Sequence, residues 1–370
     1  MKIRFILLLL ILANCQRVKI NERSYSIKKG EEKEITVLGA VDKKDLSWRS
    51  ANTMVAEVNE EGLVRGINAG ETYVSMLISA NEQILDSVKI VVEPSEENAQ
   101  HDTEDLTAVG SFTRGIEGPA VDDDGNVYAV NFKEQGTIGK VTPNGDASLF
   151  VSLPEGSIGN GIRFNSKGEM LIADYPQHNI LKVNMDEQTI SIYAHEESMN
   201  QPNDIAIMDN DILFASDPNW SENTGNLWRI NTDGSVDLLE DNMGTTNGIE
   251  ISPDQTKLYI NESVQRKVWV YDLSPEGDIS NKRLLTEFPD FGMDGMRTDQ
   301  EGNLYITRHG KGTVVIVSPS GKILDEIKMQ GELPSNIAFG GPDGKTCYVT
   351  LQDRGCIETF QAPNPGRAWK

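Results

Sequence analysis

Six short motifs carry an oxygen-bearing side chain at a recurring place. Reading "IEGPAV", "GNGIRF", "PNDIAI", "TNGIEI", "MDGMRT" and "SNIAFG", that place holds Glu117, Asn160, Asn203, Asn247, Asp294 and Asn336, separated by 43, 43, 44, 47 and 42 residues. Carboxylates and amide carbonyls, several at once and in a forgiving geometry, are what Ca2+ takes. Mg2+ and Zn2+ are other divalent ions such oxygens could hold, but a softer metal would draw on His or Cys, and neither type occupies the place. Asp294 sits between Met293 and Met296 in an otherwise apolar stretch, and an ionised carboxylate there needs a partner because losing water costs it several kcal/mol. A shared cation would be that partner. The competing reading is that Asn-Gly and Asp-Gly recur only as turn pairs; it does not explain why the place is always an acid or an amide.

The elements that must position these side chains are short strands. Nine to eleven residues after each motif comes an apolar run behind a Gly/Asp-rich turn: "GNVYAV", "GEMLIA", "NDILFA", "TKLYIN", "GNLYIT" and "KTCYVT". These runs begin near Val127, Met170, Ile212, Leu258, Leu304 and Cys347, spaced 43, 42, 46, 46 and 43 residues apart. Six units of about four strands predict a six-bladed β-propeller over residues 106–370, since such repeats bury their faces only by stacking into a ring. The polar place then starts the innermost strand of each blade and faces the central channel. Upstream, residues 17–93 alternate apolar and polar in about seven short runs around a single tryptophan, Trp48, which predicts a β-sandwich. Residues 94–105, "PSEENAQHDTED", are polar and acidic and read as a linker. The expected fold class is all-β.

The chain has 370 residues and a formal charge of -23, which argues against nucleic acid as a partner because phosphates would be repelled. "MKIRFILLLLILANC" has a basic start and an apolar run too short to span a bilayer, so it reads as a secretory signal, residues 1–15. Its last four residues resemble a bacterial lipobox, which implies acylation of Cys15 and attachment of a monomer to a membrane of the bacterial cell envelope, periplasmic or surface-exposed. A plain signal peptide cleaved nearby is the alternative. In "TCYVTLQDRGCIETF" a hairpin would set Leu351 opposite Cys356 and Cys347 opposite Phe360. The two thiols would be roughly 13 Å apart along the ladder, beyond disulfide reach.

Residues 17–93 resemble the bacterial Ig-like group 2 domain through Trp48-Arg49-Ser50, Val55-Ala56-Glu57-Val58, Gly62-Leu63-Val64 and Gly66-Ile67-Asn68-Ala69-Gly70; such a domain implies a spacer or adhesion module. Residues 108–360 resemble the gluconolactonase/senescence-marker-protein (regucalcin-like) family of calcium propellers. The motifs that carry this are Glu117-Gly118-Pro119, Pro202-Asn203-Asp204, Asn247-Gly248, Met293-Asp294-Gly295-Met296 and "NIAFGGPDGKTCYVT". The resemblance implies that Glu117, Asn247 and Asp294 bind the metal, with Asn203 beside both metal and substrate. Gln201 stands where sugar-acid members place an arginine, and the blade-3 segment "DPNWSENTGN" is this chain's own. The substrate is therefore open.

The function expected is calcium-dependent hydrolysis of a lactone, gluconolactonase-like, with Asp294 as general base toward water. Loops after each second strand should wall the pocket, so His178, Trp220, Arg308 and His309 join Asn160, Asn203 and Asn336 as expected substrate contacts. A related arylesterase or phosphotriesterase, and a non-catalytic calcium-stabilised binding lipoprotein, are the alternatives. No G-x-S-x-G elbow, phosphate-binding glycine loop or nicotinamide fingerprint is present.

Overall fold

The computed structural model describes residues 18–39, 42–68, 70–93 and 102–369. The lipobox and Cys15 lie outside the described residues. The chain divides between residues 100 and 101 into two compact units, each nearly all strand.

In the first unit one sheet runs Ser24–Lys28, Ile84–Glu93, Gly70–Ile78, Leu46–Ser50. A second sheet is built from Glu32–Glu34, Leu63–Gly66 and Ala56–Val58, and Lys19–Ile20 pairs with Val37–Leu38. The period-2 alternation reads out directly: Tyr25 and Ile27, Val74 and Met76, and Val88, Ile90 and Val92 point to one core, with Trp48 packed against it. This is the expected Ig-like sandwich.

The second unit contains six four-stranded antiparallel sheets arranged as blades. Their inner strands are Phe112–Val121, Gly159–Phe164, Ile205–Ile207, Thr246–Ile251, Met296–Thr298 and Pro334–Gly340. Second strands such as Val127–Phe132 and Leu304–Arg308 are buried at every residue, because each is covered by a blade on both faces. Outermost strands such as Ile323–Lys328 are mostly exposed.

One boundary differs from the sequence reading. Glu104–Asp105, expected at the end of the linker, is the outermost strand of the sixth blade and pairs with Cys356–Gln361. The ring is thus closed by chain from both ends. Arg354 holds this seam, donating to both carboxylate oxygens of Asp105 at 2.6 and 2.7 Å and also pairing with Glu358. Two acidic residues look like linker by composition; only the arginine opposite makes them a strand. The hairpin register is as expected, Cys347 opposite Phe360 and Leu351 opposite Cys356, and both thiols are free and buried.

After the last strand the chain crosses the C-terminal ends of several inner strands. Gln300 donates its N–H to Pro365 O, Arg367 its N–H to Thr298 O, and Arg367 Nη2 bonds Ile207 O at 2.7 Å. The tail thereby spans blades three to six at the channel end opposite the polar motifs.

Candidate metal centre

Each inner strand is irregular where its polar motif lies. The ladder to the second strand is bulged at Glu117, between Gly159 and Ile162, between Thr246 and Ile249, and between Pro334 and Asn336. In blades three and five it begins only after the motif, at Ile205 and Met296. A bulge re-aims a side chain out of the pleat, and here it frees the motif residues to face the axis.

Neighbouring motifs touch around the ring. Gly161 N–H donates to Asn203 O, Asp217 N–H to Thr246 Oγ1, and Gly295 N–H to Ser335 O at 2.7 Å. Asn261 Nδ2 donates to Asp294 O, joining blades four and five. Asn336 Nδ2 donates to Glu117 Oε2 at 3.0 Å, joining blades six and one. Gly118 has φ +57° and lies so close to blade two that an added Cβ would fall 1.9 Å from Asn160 O.

Glu117, Asn247 and Asp294 converge. The Asn247 side chain lies near the Asp294 carboxyl and favours its charged form, while the Glu117 charge opposes it. Burial, with the charge of Asp204 nearby, pushes the Glu117 carboxyl up to about 7. Burial and then the Glu117 charge raise Asp294 well above the usual carboxylate range. Asp294 is deeply surrounded, between fully buried Met293 and Met296, yet keeps part of its surface open. Asn247 is buried, and its Oδ1 has no donor among the described residues. Two carboxyls raised first by burial and then by neighbouring negative charge, beside an orphaned amide oxygen, are a donor set that fits a hard divalent cation. Nitrogen and sulfur donors are absent from these three, which suits Ca2+ rather than a softer ion.

The other expected site residues fall into two groups. Asn160 and Asn203 are half-buried on the same rim, next to Glu117 and Asp204 respectively. His178 is half-buried, its Nδ1 3.3 Å from Glu197 O, and His309 Nε2 is 3.2 Å from Gln352 Oε1. Trp220 is 43% exposed on its loop.

Two expectations are corrected. Asn336 was placed among substrate contacts, but it is buried and stands one residue beyond the ring position. Its N–H donates to Thr350 Oγ1 and its Oδ1 accepts Ile337 N–H, as Asp204 donates to Ser216 Oγ and accepts Ile205 N–H. Ser335, not Asn336, therefore occupies the position of Asn203, and Asn336 is a buried partner of Glu117. Arg308 was also expected to touch substrate. It is 1% exposed, stacks 3.9 Å from the Phe288 ring and bonds Asp290 O and Asp290 Oδ1, so it clamps the loop that delivers Asp294.

The sequence reading missed Asp204, a buried carboxylate whose charge reaches both Glu117 and Asp294. Its signal was present in "PND", where attention went to Asn203. A separate triad, Asp105, Cys356 and Glu358, has ligand atoms within 4.8 Å of one another, but both its acids are already paired with Arg354.

Residues 15–85 match the bacterial Ig-like domain (group 2). Among known proteins, a gluconolactonase from Zymomonas mobilis is 27% identical over 281 residues, covering 66% of this chain and 78% of its own. A diisopropyl-fluorophosphatase from Loligo vulgaris is 24% identical, over 71% of this chain and 93% of its own. Against three sugar-lactonase relatives at 30–34% identity the chain spans only 44 to 50% of their length. A solved structure of a calcium-binding regucalcin from Agrobacterium tumefaciens superposes with TM-score 0.63 at 20% identity, over 72% of this chain and 94% of that one, a likeness of fold. Residues 115–353, nearly the whole ring just described, match the SMP-30/Gluconolactonase/LRE-like region, and the chain belongs to that family.

Proposed function

We propose that the propeller hydrolyses a lactone with the help of a divalent cation, calcium by the chemistry of its donors, held by Glu117, Asn247 and Asp294 with Asn203 beside them. The observation that carries this reading is the pair of mutually repelling carboxylates beside the unpartnered Asn247 oxygen. The names of the lactonase relatives support the substrate class. When bound, such an ion supplies Lewis-acid polarisation of the ester carbonyl.

The rest falls to the chain's own residues. Asp294 lies beside the Asn247 side chain, and its backbone is fixed by its own N–H donating to Thr307 O and by Asn261 Nδ2 donating to its carbonyl. Its carboxylate takes a proton from the attacking water as the new C–O bond forms at the carbonyl carbon. The ring C–O bond then breaks, and that proton passes to the departing alkoxide, giving the hydroxy acid. Buried Met293 and Met296 restrict solvent around the base. A positioned base contributes roughly 10²–10⁴-fold, so Asp294→Ala should lose lactone turnover on that scale. Full turnover in that variant, with calcium still bound, would remove Asp294 from the role.

A specific feature favours a second substrate class. Trp220, Val264 and Phe291 are 43, 46 and 49% exposed on loops of blades three, four and five at the motif end of the ring. Gln265 Nε2 ties two of these loops by donating to Asn223 O. An apolar rim suits an aryl ester or phosphotriester better than a polyhydroxylated sugar lactone, and the fluorophosphatase relative points the same way. A panel of aldonolactones, aryl esters and a fluorophosphate, assayed with chelator and after calcium readdition, separates these readings. No turnover on any class, with the fold intact, would leave a calcium-stabilised binding protein.

We also propose that acylated Cys15 anchors the protein in the bacterial cell envelope. Radiolabelled palmitate incorporated into the full chain and lost in Cys15→Ala tests this; equal labelling of both would refute it.

A further inference from the structure

Three residues beyond each ring position, the inner strands carry Ala120, Arg163, Ala206, Glu250, Arg297 and Ala338. The two arginines come from blades two and five, on opposite sides of the six-bladed ring. Both are 8% exposed. They share two buried acids. Asp204 lies 3.4 Å from Nη1 of each arginine. Glu250 Oε2 lies 3.8 Å from Arg163 Nη2 and 3.8 Å from Arg297 Nε. From the far end Arg367 adds a third guanidinium, its Nε 3.2 Å from Glu250 Oε1.

Three features of this cluster point to a missing partner. Its charges do not cancel: three guanidinium groups face two carboxylates, while Glu117 and Asp294 above belong to the cation site. Nη1 of each arginine donates to its neighbouring carbonyl, Ile162 O at 2.8 Å and Met296 O at 2.7 Å, but the contacts to Asp204 and Glu250 are long, since charge-assisted N–H to carboxylate bonds ordinarily close to about 2.7–2.9 Å. And Arg163 Nη2 and Arg297 Nη2 are buried with no hydrogen-bond partner among the described residues. A buried unmatched charge costs several kcal/mol. Burial, then the Arg297 charge across the channel, pulls Arg163 down to about 10, so the two cations are crowded together.

We propose that the cluster around Arg163 and Arg297 binds one small monovalent anion, of the halide class, accepting N–H from the Nη2 atoms of both arginines, which lack a hydrogen-bond partner among the described residues. A single negative charge brings the cluster to neutrality. The two carboxylates in the same cluster, Asp204 and Glu250, disfavour a dianion. The site stands whether or not the ring above hydrolyses lactones, although its charge count takes Glu117, on which the Arg297 charge acts, as matched by the cation.

The test uses the full chain with bromide as probe. Crystals grown in sodium bromide, measured at the bromine absorption edge, should show one anomalous peak on the axis within hydrogen-bond distance of both Nη2 atoms. In solution the melting temperature should rise by a few degrees, saturably, when chloride or bromide replaces methanesulfonate at constant ionic strength. Arg297→Gln, which makes the cluster neutral by itself, should abolish that rise. Bromide only on exposed lysines, or equal melting temperatures of the wild-type chain in all three salts, would overturn the proposal. Should Arg297→Gln not fold, the wild-type bromide map alone decides.

Discussion

The Glu117 and Asp294 carboxyls make the chain's stability depend on pH in a particular direction. Burial holds the Glu117 pKa at about 7 against an ordinary value of 4.5, and Asp294 moves the same way. The folded, metal-free protein therefore keeps protons that the unfolded chain releases. The stability they contribute is fully present below pH 4.5 and is lost as pH rises through about 7, an effect on the order of a few kcal/mol. Calcium should reverse it by matching the ionised pair. Calorimetry in chelator should show the melting temperature falling between pH 5 and 8, with the gap to the calcium-loaded protein widening. A gap that stays constant across that range would mean the pair does not face the ion. These residues were legible in the sequence because a carboxylate between methionines is unusual and because the repeat places it in register with Glu117 and Asn247. Asn336 was misplaced because a bulge shifts one blade by a single residue, which spacing alone does not reveal.

At the level of strands, a second repeating device supports the ring. A residue near the end of each second strand, or in the loop just after it, holds the segment that leads into the polar motif of the same blade. Asn131 Nδ2 donates to Gly115 O, Asp174 accepts Ile158 N–H, and Glu262 accepts Gly244 N–H. Asp353 accepts the N–H groups of Glu332 and Leu333, and Arg308 does the same work with reversed polarity. Asp217 is the most heavily used: Asn200 N–H, Gln201 N–H, Asn226 Nδ2 and Trp228 Nε1 all donate to it within 3.0 Å. Removing it leaves several buried donors unsatisfied, at about 1–3 kcal/mol each. Asp217→Ala should lower stability by about 3 kcal/mol or more in urea titration, whereas a loss below about 1 kcal/mol would mean water replaces the carboxylate readily. These loops were read as pocket walls, since polar residues at strand ends suggest contact with ligand; their hydrogen bonds point instead into the loops that aim the ring.

The whole propeller depends on how closely its blades approach the axis. Gly118 is the tightest such point, with a positive φ and Asn160 O where a side chain would begin. Gly118→Ala should therefore destabilise the ring by at least about 2 kcal/mol through strain and displaced backbone. It should also weaken calcium binding, because Glu117 is its neighbour. Isothermal titration together with thermal melting checks both; an unchanged melting temperature would show that the blades have room to part. At the opposite mouth, Arg367 joins Glu250 to Ile207 O and so ties the tail to blades three and four. Arg367→Ala should cost about 1–3 kcal/mol and speed hydrogen exchange at the amides of Gln300 and of position 367, which donate to Pro365 O and Thr298 O. Exchange rates equal to wild type would place the tail's hold elsewhere.

Sequence alone determined the strand period, the sixfold repeat and the acid-or-amide position in five of its six units, because alternation and turn chemistry are local and survive in one dimension. It also settled the hairpin register of Cys347 and Cys356, which one turn fixes. Tertiary structure decided what lies far apart in the chain: Glu104–Asp105 becoming a blade strand opposite Arg354, and Asn336 turning to Glu117 across the closure. It also decided that Asp204 is shared by arginines from two opposite blades. Those contacts join residues 41 to 249 positions apart. Their partners exist only once the ring is closed, so no local pattern could announce them.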